Sequence, residues 1–142
     1  YTLSLHDALP IFHIDKIKTP FEIGQSYKDV FINDASSPSY AGVVNDEVVA
    51  VGGASVMWDG VGEAWYMVSQ EGLLRPYMIA KYAGIMLDHI QEDFHLHRLQ
   101  ASVRGQDKIA NRFVKWLGFK EEGVMERYGP NKADYIRYAR LV

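Results

Sequence analysis

The apolar positions change period several times along these 142 residues, and each change marks a predicted element. Residues 12–18 alternate weakly and predict an edge strand. Thr19-Pro20-Phe21-Glu22 predicts a helix start, with Thr19 as cap, Pro20 in the first turn and Glu22 closing a capping box. Phe21, Tyr27, Val30 and Phe31 give that helix an apolar face. Tyr40–Val44 and residues 47–57 read as two strands joined by an Asn45-Asp46 hairpin turn. Gly52-Gly53 inside the second strand predicts a bulge or a close backbone approach. Asp59-Gly60 is a further turn, and Ala64–Ser69 a third strand. Residues 70–74 read as a polar loop. Arg75–Glu92 is the longest helix, with Ile79, Ala83, Met86 and Ile90 on one face. Arg98–Val103 is a strand. Asp107 caps a helix with Ala110, Phe113, Val114 and Leu117 as its stripe, and Gly118 suits its C-terminal cap. Lys120–Tyr128 and Tyr135–Leu141 form a last hairpin across residues 129–132. The order β-α-β-β-β-α-β-α-β-β predicts one α+β domain over residues 1–142.

Composition narrows the classes. Nearly half the residues are apolar, and the chain is long enough to bury a core. Cysteine is absent, which removes disulfides, thiolate metal sites and a cysteine nucleophile. No apolar run reaches the roughly 20 residues that span a bilayer. The net charge of −3 argues against broad nucleic-acid binding. That average hides an asymmetry: residues 1–97 hold 13 acidic and 5 basic side chains, and residues 98–142 hold 10 basic and 5 acidic. The first half suits an amine and the second a phosphorylated ligand, or the surface is simply charged unevenly. His95 and His97 share a face, but nothing beside them completes a metal set, so no metal is expected.

A strand that runs into a helix start makes an anion site, because first-turn N–H groups lack partners and the helix dipole adds positive charge. Residues 63–80 have that form. Their spacing resembles the GNAT superfamily of acetyl-CoA-dependent N-acetyltransferases. Its pyrophosphate loop, Gln/Arg-x-x-Gly-x-Gly/Ala, falls on Arg75-Pro76-Tyr77-Met78-Ile79-Ala80, with Met78 in place of the central glycine. Its Asn-x-x-Ala-x-x-Leu-Tyr-x-x-Leu-Gly-Phe segment falls on Asp107–Phe119. There Ala110, Leu117, Gly118 and Phe119 match, Asp107 replaces the asparagine, and Val114 replaces the general-acid tyrosine. The chain resembles in particular the divergent GNAT-like proteins of short-tailed phages, an internal virion protein among them, which share a strand like Trp65-Tyr66-Met67-Val68-Ser69, a loop without the full glycine pattern and an apolar residue in place of that tyrosine. The likeness covers roughly residues 40–142. Residues 1–11 resemble a translated sequencing adapter from metagenomic fragments and are set aside as non-native or disordered.

The resemblance implies a central mixed, mostly antiparallel sheet flanked by helices, with acetyl-CoA as cofactor and an amine-bearing small molecule or protein as acceptor. It implies a cytoplasmic protein of a bacterial host or a virion component, with no membrane partner, and a homodimer is open. The pyrophosphate would lie on the amides of Tyr77, Met78, Ile79 and Ala80 beside Arg75, although Arg75 equally suits a solvated cation. Met67, Val68 and Ser69 would pair with the pantetheine arm where two strands splay, with the Met67 or Val68 amide near the thioester oxygen; the alternative is plain sheet pairing. Asp107 would touch the cofactor arm or simply cap its helix. Glu63 would be the general base, or a surface carboxylate beside a turn. Tyr128, Tyr135 and Tyr138 are candidates for the missing acid, with Tyr128 preferred. The competing expectation is a non-catalytic fold retained as a virion or protein-binding module. A nucleic-acid binder would rest on the basic half alone.

Overall fold

The computed structural model describes residues 38–142. The expected strand at 12–18 and helix from Thr19 lie outside them. The described chain opens with a meander. Strand β1 (Ser39–Val44) pairs antiparallel with β2 (Glu47–Trp58), which pairs antiparallel with β3 (Val61–Val68). Asn45 and Asp46 both take positive φ (50° and 62°), the mirror-image turn whose twist suits a two-residue hairpin. Gly60 (φ 76°) serves the next turn. The Gly52-Gly53 expectation resolves as close approach. A Cβ on Gly53 would lie 2.2 Å from the Pro38 carbonyl oxygen, while the register shifts fall elsewhere, at Gly42/Val43 and Val56/Trp58.

A short helix, α1 (Gln70–Leu73), replaces the expected loop. Ser69, read as the end of a strand, is its N-cap: the Ser69 hydroxyl accepts from the Gly72 N–H at 3.1 Å. Helix α2 (Pro76–Asp93) follows, with Pro76 in its first turn as expected. Strand β4 (Arg98–Arg104) leads to α3 (Lys108–Trp116), which Asp107 caps through Ala110 N–H at 2.9 Å and which ends at Gly118 with φ 89°. Strands β5 (Lys120–Met125) and β6 (Tyr135–Leu141) complete the fold. β5 stops three residues short of Tyr128, because Arg127 turns to positive φ and gives its N–H to the Asp134 carboxylate.

The six strands run in the order β1-β2-β3-β4-β6-β5. Only β3 and β4 are parallel, joined by the α1–α2 crossover; the other pairs are antiparallel. This is the mixed, mostly antiparallel sheet that was expected. One face packs the main core: Ala54, Leu99, Ala101 and Tyr138 from strands, Leu87 and Ile90 from α2, Val114 from α3, with Leu96 and Phe119. Because side chains alternate along a strand, the other face carries Trp65 and Met67 against Ala41 and Val51, and also Glu63, Ser102 and Arg137. Among the described residues no helix is long and apolar enough to cross a membrane.

Candidate functional site

Parallel strands β3 and β4 pair over three rungs only: Val61↔Arg98, Gly62↔Leu99 and Glu63↔Gln100. Beyond Glu63 they part. β4 stays stitched to β6 through Arg104↔Tyr135, and β3 stays with β2 through Ala50↔Val68. The result is a fork whose vertex is Glu63. The ladder shows which amides line it. Ser69 N–H donates to the Val49 carbonyl at 2.8 Å, so Ser69 is committed to β2. Antiparallel bonding alternates, so Met67 also turns toward β2 while Val68, Tyr66 and Ala64 turn their peptide groups into the fork. The Gly60 carbonyl fits this parity, accepting from Arg98 N–H on the β4 side at 3.1 Å. Of the three residues expected to meet a pantetheine arm, Val68 has the peptide group that faces the opening.

The start of α2 lies at the end of β3. Arg75 N–H bonds the Gly72 carbonyl, Pro76 has no N–H, and Ile79 N–H bonds the Arg75 carbonyl. That leaves Tyr77 and Met78 as the first-turn amides without a partner inside the helix. Arg75, Tyr77, Met78, Lys81 and Tyr82 line a depression of about 280 Å³ there. Arg75 has its guanidinium 3.5 Å from Glu71, and the Lys81 ammonium lies 5.8 Å from the centre of the Tyr82 ring. Tyr77 is 75% exposed, whereas Ile79 and Ala80 are buried in the helix's inner face. Met78 packs beside Val44, Val49 and Ile79 and borders the depression, so its bulk goes partly inward. Lys81 and Tyr82 were missed in the sequence; Lys81 follows Met78 by one helical turn, a spacing that would have found it.

At the vertex, Arg137 Nη1 donates to both Glu63 oxygens, at 2.7 and 3.1 Å, and the Ser102 hydroxyl donates to Glu63 Oε1 at 3.0 Å. Arg137 and Ser102 were also missed, since a polar residue in an alternating strand signals no more than an outward face. Nearby Arg98 uses all three of its nitrogens. Its Nε holds Gln100, and Nη1 and Nη2 clasp Glu122 at 2.9 and 2.6 Å, which keeps the Glu122 carboxyl below the usual range.

Tyr128 stands apart. It is 58% exposed, with its ring edge-on to Tyr135 at 5.6 Å. Tyr135 pairs with Arg104, four residues along β4 from the Gln100 rung, which is roughly 13 Å of strand. The candidate base and acid are therefore not brought together. Tyr138 is fully buried, and its hydroxyl donates to Asn111 Oδ1 at 2.7 Å; burial first and Glu121 second push its phenol up. Val114 lies in the core. Asp107 serves as helix cap and, at the fork's far wall, acts on Tyr66. That ring stacks on Phe113 of α3, 4.7 Å between centres, and its phenol is pushed up to about 12, by burial first and the Asp107 charge second.

No family model and no curated sequence matches the chain. Solved structures do. A chimera of the spermidine N-acetyltransferase SpeG from Vibrio cholerae with hSSAT superposes with TM-score 0.77 at 15% identity, covering 99% of this chain and 94% of that one. A GNAT-family acetyltransferase from Bacillus anthracis gives TM-score 0.67 at 16% identity, covering 84% and 75%. One from Streptococcus pneumoniae gives 0.66 at 15%, covering 86% and 78%. The fold is the GNAT fold.

Proposed function

We propose that the protein is an acetyl-CoA-dependent N-acetyltransferase whose donor lies in the β3–β4 fork. The observation that carries this reading is the fork itself, opening toward a helix start lined by Arg75 and Lys81. The residues present suit the donor. The Tyr77 and Met78 amides, with the two cations, would hold a pyrophosphate, and the Val68 peptide group would pair with an amide-bearing arm. Bound acetyl-CoA would supply an acetyl thioester: the acceptor nitrogen gains a C–N bond as the C–S bond breaks, and the electron pair leaves on sulfur. Val68 lies five residues from Glu63, roughly 16 Å of strand, so of the peptide groups turned into the fork the Ala64 N–H is the backbone donor beside the vertex, available to a carbonyl oxygen there. Glu63, at the vertex, takes the proton that the amine loses, directly or through water. Its clasp by Arg137 and Ser102 fixes its direction. The leaving thiolate is a fair leaving group and draws its proton from water, so Tyr128 is not required.

Isothermal titration with acetyl-CoA tests this. We expect binding that weakens in Arg75→Ala and Lys81→Ala; no heat at millimolar donor would overturn it. A second reading, a non-catalytic protein-binding or virion module, is favoured by the Tyr66–Phe113 contact from β3 to α3 and by Val114 in the core. It predicts that those rings stay stacked in saturating acetyl-CoA, with no shift of the Tyr66 resonances.

A further inference from the structure

The Arg98–Glu122 and Arg137–Glu63 pairs, on the sheet face opposite the main core, differ in one respect. Arg98 engages all three of its nitrogens, with Gln100 and Glu122. Among the described residues, Arg137 reaches Glu63 through Nη1 alone, which leaves its Nη2 and Nε hydrogens unused on a side chain that is 23% exposed. Glu63 is similarly half-used. Oε1 accepts from Ser102 and Arg137, Oε2 only from Arg137, and a carboxylate offers about four lone-pair sites. Among the described residues the vertex therefore presents one vacant donor edge and one vacant acceptor side by side, with no net charge.

From this we infer that the acceptor is a zwitterion, a free α-amino acid, whose carboxylate takes the open edge of Arg137 and whose ammonium meets Glu63 Oε2. This rests on the acetyltransferase reading and names its substrate class. A polycation has little reason to bind here: the vertex carboxylate is already neutralised by Arg137, and a further carboxylate, Glu122, is held by Arg98. An α-amino acid matches the vertex because its two charges are opposite and adjacent. Its carboxylate would gain a charge-assisted bond from a planar guanidinium that is already fixed in place. Loss of the ammonium proton to Glu63 then leaves the neutral amine at the fork, where the C–N bond forms.

The test uses the full-length protein. Acetyl-CoA binding is first measured by titration, which reads the acetyltransferase assignment alone. Separately and without donor, chain labelled with ¹³C at glutamate carboxyls is titrated with free α-amino acids, with the matching α-amino acid amides, and with spermidine. Glu63→Gln identifies the Glu63 resonance. We expect that resonance to move with a free amino acid and to need roughly tenfold or more of the amide, which has lost the carboxylate. In turnover, read by mass spectrometry, Arg137→Gln raises KM for the amino acid roughly ten- to a hundredfold with a smaller change in kcat, and Arg137→Lys recovers part of it. Amide or spermidine acting on Glu63 as well as the free amino acid does would overturn the inference. The carboxylate comparison uses unaltered protein, so a poorly folding variant does not blunt it.

Discussion

Two glycines in neighbouring helices ought to respond in opposite directions to the same added methyl group. A Cβ on Gly72 in α1 would sit 2.5 Å from the Val49 carbonyl oxygen and 2.5 Å from Val68 Cγ2, about 1 Å inside ordinary contact. Val68 can rotate, but the Val49 carbonyl is strand backbone that also accepts the Ser69 N–H. Moving it strains the cap that starts α1. Against this, alanine is favoured over glycine in a helix by roughly 0.5–1 kcal/mol. Overpacking costs roughly 1–3 kcal/mol, so overpacking wins, and Gly72→Ala destabilises by about 1–2 kcal/mol. On Gly84 in α2 the same Cβ meets only Leu117 Cδ2, at 4.0 Å. The propensity term then stands alone, and Gly84→Ala stabilises by about 0.5–1 kcal/mol. Urea unfolding at 25 °C reads both, and each kcal/mol corresponds to about 4 °C in Tm. Gly72→Ala at or above parent stability would refute the close approach of α1 to β2. Equal losses at both sites would refute the assignment of the two effects. Because Arg75 N–H hangs on the Gly72 carbonyl, Gly72→Ala also loosens the α2 start, and acetyl-CoA affinity should fall with it.

Other outcomes follow from single contacts. Tyr138→Phe leaves Asn111 Oδ1 without its donor and costs about 1–2 kcal/mol by chemical unfolding, with a double-mutant cycle against Asn111→Ala isolating the pair. Asp107→Ala removes the α3 cap for about 1 kcal/mol and, by deleting a negative charge, lowers the Tyr66 phenol in an ultraviolet titration. Tyr66 itself titrates near 12 when folded and near 10 when unfolded, so stability is unaffected below about 10 and falls as pH rises toward 12; Phe113→Ala, which exposes the ring, narrows that window.

Local features were legible in the sequence because local chemistry decides them. Asn45-Asp46 tolerates positive φ, Pro76 suits a first turn, Asp107 caps and Gly118 closes, and each did so where expected. Ser69 was misassigned because its apolar neighbours continue a strand pattern, while its hydroxyl answers to Gly72 three residues on, a capping signal without the usual glutamate. The candidate site was legible only by spacing. Nothing periodic in β3 shows that it pairs with β4 for three rungs and then leaves, because that depends on where a strand 35 residues further on is pinned by β6. Glu63 could be named, but its partner Arg137 lies 74 residues away, beyond any helical or strand period.

The fork also divides the molecule by charge. Residues 38–97, which build β1 to β3 and α2, hold eight acidic and two basic side chains; residues 98–142, which build β4 to β6, hold ten basic and five acidic. Two halves of opposite charge, each built on three strands, thus meet along three rungs, and the Glu63–Arg137 and Asp88–Arg140 pairs both link the halves. Attraction between the halves reaches across a gap that β3–β4 backbone bonding leaves open, and its range shortens with the screening length, from about 30 Å at 0.01 M salt to about 8 Å at 0.15 M. The expected consequence is a fork whose width responds to the solution, narrower in dilute salt and wider in concentrated salt.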